Sequence, residues 1–279
     1  MIHSNGFSLV ELMISLLIGS LLLAAALGLT AESRKKWRLA ENAAALEERA
    51  IFALTALEQD VRLAGYWGKH SNGKLIINPD NFTAHCNSTD ISNWAFLFGQ
   101  AIAAGNGAYD LPCPAYTGNV SGSDTLTVRH ASSQVVAADA GKLQLFSNHL
   151  HGRLFVAGNP AFTPDSSGTT HDLAINAWYI DKSSTEAGQP ALRRYALVGN
   201  GLMQSQEIIP GITDMQITLG IDRDGNNVVD GFVDAGAQGA ATIAAVRITL
   251  TIAAPLTDAD GSRAEITAGR TIWLRNQHY

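Results

Sequence analysis

One stretch constrains this chain more than any other. From Phe7 to Ala31 the sequence is apolar or small, and Glu11 is its single charge. Residues 7–31 would make roughly 37 Å of helix at about 1.5 Å per residue, enough to cross a hydrocarbon core of about 30 Å with some tilt. A carboxylate inside such a span costs about 2.5–3.5 kcal/mol on insertion scales, which makes it a functional position by default. Glu11 stands one turn into the run, within reach of a partner outside its own helix. A cleavable secretory signal has a shorter apolar region and a basic leader. The leader from Met1 to Gly6 contains neither Lys nor Arg, although Ala24-Ala25-Ala26 would serve as a small-residue cleavage site. A plain anchor accounts for the length and leaves the acid unexplained.

The helical pattern does not stop where the run does. Apolar residues recur at Leu39, Ala43, Leu46, Ala50, Leu54, Leu57, Val61 and Ala64, in steps of three or four that keep one stripe on one face. Neither Pro nor Gly interrupts from Leu29 to Ala64. The pattern predicts one helix over about 7–64, roughly 85 Å long, with Gly65 as its C-cap. Glu41, Glu47, Glu48, Arg49, Glu58, Asp60 and Arg62 fall mostly off the stripe, and Glu58 to Arg62 is a favourable i,i+4 pair. The stripe needs an apolar partner, and the rest of the chain supplies it. The cluster Arg34-Lys35-Lys36-Trp37-Arg38 reads as a membrane-interface belt.

Composition changes at Tyr66. Gly, Asn, Asp, Ser, Thr and Pro become frequent, and short strand-like runs alternate with turn signals. Runs are expected at Leu75–Ile77, Thr125–His130, Leu143–Phe146, Arg153–Val156, Trp178–Ile180, Leu192–Leu197, Gln206–Ile209, Met215–Ile221, Ala244–Ala253 and Thr271–Arg275. Ser92–Ala104 is apolar with ambiguous periodicity. The fold class is therefore α+β: a long N-terminal helix, transmembrane then amphipathic, packed on a C-terminal antiparallel β-sheet domain. The expected division is 1–6 leader, 7–31 transmembrane and assembly helix, 32–65 amphipathic helix, and 66–279 β-rich globular domain.

Gly6-Phe7-Ser8-Leu9-Val10-Glu11 resembles the processing site of type IV pilins and pseudopilins. That resemblance implies cleavage by a prepilin peptidase after Gly6, methylation of Phe7 as the new N-terminus, and pairing of Glu11 with the N-terminal amine of a neighbouring subunit. The leader departs from the family pattern by lacking a basic residue. Val61-Arg62-Leu63-Ala64-Gly65-Tyr66-Trp67-Gly68 and the segments at Ser123–Val128, Gly211–Gln216 and Thr271–Asn276 are similar to PilW-type minor pilins. The resemblance implies a component of the tip or priming complex of a type IV pilus that initiates assembly and helps present an adhesin, serving adhesion or twitching motility. Its partners would be other minor pilins, the major pilin, a tip adhesin, the prepilin peptidase and the inner membrane. The implied location is a single pass in the inner membrane with a periplasmic C-terminal domain, then the pilus tip. The positive-inside rule would instead place residues 34–38 in the cytoplasm; the cysteines and the loop-rich domain favour the periplasm. The alternative is the J-type minor pseudopilin of type II secretion, whose soluble domain is usually smaller.

Two further features bear on chemistry. In Asp222-Arg223-Asp224-Gly225-Asn226-Asn227-Val228-Val229-Asp230, side-chain oxygens of Asp222, Asp224, Asn226 and Asp230 stand at positions 1, 3, 5 and 9 of an EF-hand-like loop, with the Val228 carbonyl at 7. Asn227 replaces the usual Gly at 6, and Val233 occupies 12, so Asp234 at 13 would have to substitute for the acidic ligand. PilW-like proteins carry similar acidic loops. The loop reads as a Ca²⁺ site or as a solvated hairpin turn that needs no ion. Cys86 and Cys113 are the only cysteines, an even count that suits one disulfide in an oxidising compartment. Such a bridge would close a loop of about 28 residues and stabilise by roughly 3–4 kcal/mol; two separate buried thiols are the alternative.

A net charge of −6 argues against a nucleic-acid surface. The P-loop-like Gly68–Lys74 fails because Leu75 stands where Ser or Thr belongs and a helix precedes it. His149 and His151 lack a third ligand. No nucleophile elbow or zinc-protease motif occurs, and no enzymatic activity is expected.

Overall fold

Uninterrupted helical periodicity becomes one rod. The computed structural model describes residues 8–86, 89–90, 96–106, 118–158, 162–239, 241–257 and 261–276. Helix α1 (Leu9–Leu63) runs from the apolar stretch into the domain. Gly65 then turns the chain at φ +75°, and a side chain there would also meet the Asn276 carbonyl oxygen at 2.8 Å. Both the backbone sign and the close approach require glycine.

Fourteen strands follow among the described residues: β1 (Ile76–Ile77), β2 (His85–Cys86), β3 (Thr89–Asp90), β4 (Ile102–Gly105), β5 (Thr125–Ala131), β6 (Gln144–Ser147), β7 (Gly152–Phe155), β8 (Thr169–Asp181), β9 (Ala191–Val198), β10 (Leu202–Pro210), β11 (Ile212–Asp222), β12 (Gly231–Asp234), β13 (Thr242–Thr257) and β14 (Arg263–Trp273). Four of them form an antiparallel sheet in the order β12-β11-β13-β14. The other ten form a mixed sheet whose spine is β8, which pairs with β6, β5 and β9 along its length. Parallel pairing is confined to β1 with β7 and β2 with β10.

Two cores flank this spine. In the first, Leu46, Ala50, Leu54, Leu57 and Val61 of α1 pack on alternate residues of β11 and β13, among them Ile217, Leu219, Val246, Ile248 and Leu250. In the second, Trp67, Phe98, Leu145 and Leu154 gather on the opposite side. Strand β8 serves both: Trp178 and Ile180 point into the first core, while Ile175, Ala177 and Tyr179 point into the second. The period of two thus fills both faces of one strand.

The structure extends the expected strands. Only Trp178–Ile180 and Thr271–Arg275 are legible as strand in the neighbourhoods of β8 and β14, yet these strands span 13 and 11 residues. The part of β14 before Thr271 interleaves Ala264, Glu265, Ala268 and Gly269, weak strand formers, with Ile266 and Thr267, and its pairing with β13 sets its state. Strand β12, unanticipated, pairs with β11 directly after the acidic loop. The expected stripe on α1 is buried from Leu46 onward, whereas Leu39 and Ala43 are exposed.

Candidate functional site

The N-terminal half of α1 is the first candidate. Every residue from Ser8 to Glu41 is exposed, and the helix contains an 18-residue window with a mean hydropathy of 2.5, none of it buried. Glu11 lies in the first turn, exposed among Leu9, Val10, Leu12 and Met13. Gly6 and Phe7 lie outside the described residues. Lys36 pairs with Glu32 at 2.8 Å one turn away, and the basic cluster faces outward from the helix.

The C-terminal half of α1 is clamped by two charged residues that lie off its apolar stripe. Asp60 is 7 % exposed. Its Oδ1 accepts from Asn176 Nδ2 at 2.7 Å and contacts His130 Nε2 at 2.8 Å, while its Oδ2 accepts from Trp178 Nε1 at 2.6 Å. His130 Nδ1 lies 2.8 Å from the Ala131 carbonyl oxygen, so both ring nitrogens have a polar partner. Eleven residues earlier, three turns along the same flank, Arg49 is 8 % exposed. It donates to both Glu186 carboxylate oxygens at 2.7 and 2.9 Å and to Gln189 Oε1 at 3.1 Å. On the opposite flank Glu58 pairs with Arg62 and with Arg270 of β14. The Arg270 hydrogen bond, ahead of the charges of Arg270 and Arg62, holds the Glu58 carboxyl below its ordinary range. A polar residue beside an apolar helical stripe is the only sequence signal for Asp60 and Arg49; their partners are 70 or more residues away.

The acidic loop joins β11 to β12. One carboxylate oxygen from each of Asp222, Asp224 and Asp230 lies within 4.8 Å of the others, the single such group of three among the described residues. Asp222 is buried and the other two are exposed. Its Oδ1 accepts from Gly225 N and its Oδ2 from Asn227 N, each at 2.8 Å. Asp230 Oδ2 closes the loop by accepting from Arg223 N at 2.7 Å. Asn227 takes φ +63° beside Gly225 at +76°, the left-handed pair that a sharply wound loop needs and that Asn tolerates. Asn226 Oδ1 accepts from Val228 N at 2.7 Å, and the Val228 side chain is exposed. This all-oxygen donor set suits a hard cation. Asp234 does not join it. It lies on β12 opposite Thr218 of β11, three residues beyond Gly231, or roughly 10 Å along the strand.

Cys86 is buried and disulfide-bonded; Cys113 lies outside the described residues. Gly73–Leu75, in the P-loop-like segment, forms a short 3-10 turn capped by the Asn72 side chain, not the start of a long helix. His149 and His151 are exposed.

Comparison with known proteins finds two family models. Residues 177–271 match the type IV pilus-assembly protein W family, PilW. Residues 1–27 match the prokaryotic N-terminal methylation motif. The first match runs from the end of β8 through most of β14 and includes the acidic loop; the second covers the leader and the start of α1. No curated protein and no solved structure matches the chain.

Proposed function

We propose that this chain, which matches the methylation motif at residues 1–27 and the PilW family at residues 177–271, is a minor pilin-like protein and a structural component of the tip or priming complex of a type IV pilus. In this reading prepilin peptidase cuts after Gly6, Phe7 becomes the methylated N-terminus, and the apolar half of α1 moves from the inner membrane into a bundle of subunit helices. The periplasmic domain sits at the pilus end with other minor pilins and helps present an adhesin. The observation that carries the reading is the fully exposed apolar helix with a single acid, fused without a hinge to a β-rich domain.

Physical chemistry gives Glu11 its role. A carboxylate in hydrocarbon is tolerable only when paired, and the amine freed at Phe7 is a cation at the same depth. A neighbour displaced by about one turn brings the two together; other registers leave both charges unpaired. N-terminal sequencing of membrane-extracted protein tests the processing step, with methyl-Phe7 expected and an intact Met1 overturning it. Deleting the protein abolishes or sharply reduces surface pili, and Glu11→Val reduces recovery of the chain in sheared pili. Wild-type recovery of that variant would remove the registration role.

The loop at 222–230 binds Ca²⁺ in this reading, through Asp222, Asp224, Asn226 and Asp230 side chains and the Val228 carbonyl. The mutual approach of three carboxylates supports it, because a divalent cation offsets their repulsion. Calorimetric titration of the full chain in detergent should show Ca²⁺-dependent heat. No heat, together with no chelator-dependent shift in melting, disposes of the site.

A further inference from the structure

Strand β14 has an open edge. It is the last strand of the four-stranded sheet and pairs only with β13 among the described residues. The hydrogen-bond phase follows from its end, where Leu274 N–H donates to the Ala244 carbonyl at 3.0 Å. In an antiparallel ladder such pairs recur at every second residue. Ile272, Arg270, Ala268 and Ile266 therefore direct their backbone groups at β13. Glu265, Thr267, Gly269, Thr271 and Trp273 direct theirs outward, and no hydrogen bond reaches that edge among the described residues.

Edges of this length are ordinarily blunted by proline, by charge, by a bulge or by a cover. Residues 263–273 contain no proline, and the register shift in the β13–β14 pair lies at the far end, between Ala253 and Thr257. Two of the strand's three charges are turned to other work: Arg263 donates to the Ala254 and Pro255 carbonyls, and Arg270 pairs with Glu58. Beside the edge lies apolar surface. Ile266 and Ala268 are only partly covered by α1. Ile51 is 62 % exposed and lies two turns before Glu58 on the same helix flank, above that edge.

We propose that this edge accepts an extended segment of a different pilus subunit, which adds a strand to the sheet beside β14. The inference rests on the pilin reading above. Backbone groups presented at two-residue intervals recognise an extended chain. The adjoining strip calls for apolar residues at alternate positions facing Ile51 and Ile266, with polar residues facing outward beside Thr267 and Thr271. Pairing of β14 with the β14 of a second copy does not fit. Helix α1 follows β14 in the same direction, from Asn42 at Leu256 to the Ala64 carbonyl at Asn276. Two-fold antiparallel pairing of β14 with itself would therefore point the two apolar helices in opposite directions, and both could not enter one membrane. The edge is also continuous with the exposed face of the assembly helix, so one partner can follow both.

The test places a photo-cross-linking amino acid at Thr267 or Thr271 of the full chain in piliated cells and maps the cross-linked peptides in sheared pili. Both sites should mark one segment of one other subunit, at positions about four residues apart as strand geometry requires. Thr267→Pro removes an outward N–H and leaves the β13 ladder intact. It should melt like wild type yet fall about tenfold or more in sheared pili. Ile51→Lys, on the helix surface, provides the same readout if the proline variant does not fold. Cross-links to a second copy, scattered or absent cross-links, or undiminished recovery of a folded variant each overturn the proposal. Absence of the wild-type chain from pili would instead overturn the pilin reading.

Discussion

The two halves of α1 share one helical repeat and meet opposite surroundings. From Ser8 to Glu41 every residue is exposed. From Asn42 onward one face is sealed against β11 and β13 and held at its flank by Arg49 and Asp60. The first half therefore contributes nothing to the fold of the isolated chain; its apolar surface is left uncovered, as the proposed membrane and helix-bundle role requires. The second half makes the helix part of the domain, and the two halves are one continuous helix.

Breaking the clamp gives the largest expected effect. Asp60→Ala leaves the buried Asn176 and Trp178 donors without their acceptor and His130 Nε2 without its partner, and each buried polar group left unsatisfied costs about 1–3 kcal/mol. Denaturant melting of the full chain in detergent measures it, and Glu11→Val should leave the same melt unchanged. A paired test on the apolar positions comes next. Leu57→Ala empties a site with 0 % exposure and should cost about 2–5 kcal/mol. Leu17→Ala, 61 % exposed, should stay within about 0.5 kcal/mol for the unassembled chain. Equal effects at the two positions would erase the contrast between the halves.

Removal of Ca²⁺ from the proposed site would act on the domain alone. At a free concentration about 100 times Kd, the ion would add about 2.7 kcal/mol, and Asp222→Asn should abolish the chelator-dependent shift in Tm. The smallest effect concerns Glu58. Its carboxyl is held below the ordinary range by Arg270, so its contribution is present above the unfolded pKa and lost as pH falls through the lower folded value. Glu58→Gln should flatten the acid side of the Tm–pH curve slightly and leave the neutral side nearly unchanged.

Local pattern carried far in this chain. The helix from Leu9 to Leu63, the burial of Leu46 to Val61, the exit at Gly65 and the cores of β5, β6, β9, β11 and β13 all follow from periods of 3.6 and 2 and from glycine's conformational freedom. The acidic loop was legible because alternate oxygens at fixed spacing are a local property. The position of Asp234 on β12, outside the group formed by Asp222, Asp224 and Asp230, was not legible, since it depended on where β12 began. Strand β14 and the first half of β8 were largely hidden because segments that mix Ala, Gly and charged or polar residues with few apolar ones become strand only beside a partner. The opposite faces of β8 could not be assigned to two cores before the second sheet was known.

By itself the sequence determined that a long helix begins in an apolar stretch with one stranded acid and ends in a domain of short strands, because hydrophobic period and steric freedom are properties of neighbours in the chain. Only the tertiary structure decided which charges are buried and which strand edge is left open. Asp60 finds His130 and Trp178, and Arg49 finds Glu186, across 70 to 137 residues. Such partners are fixed when helix and sheets close on one another, since a buried charge is stable only where the fold delivers its complement.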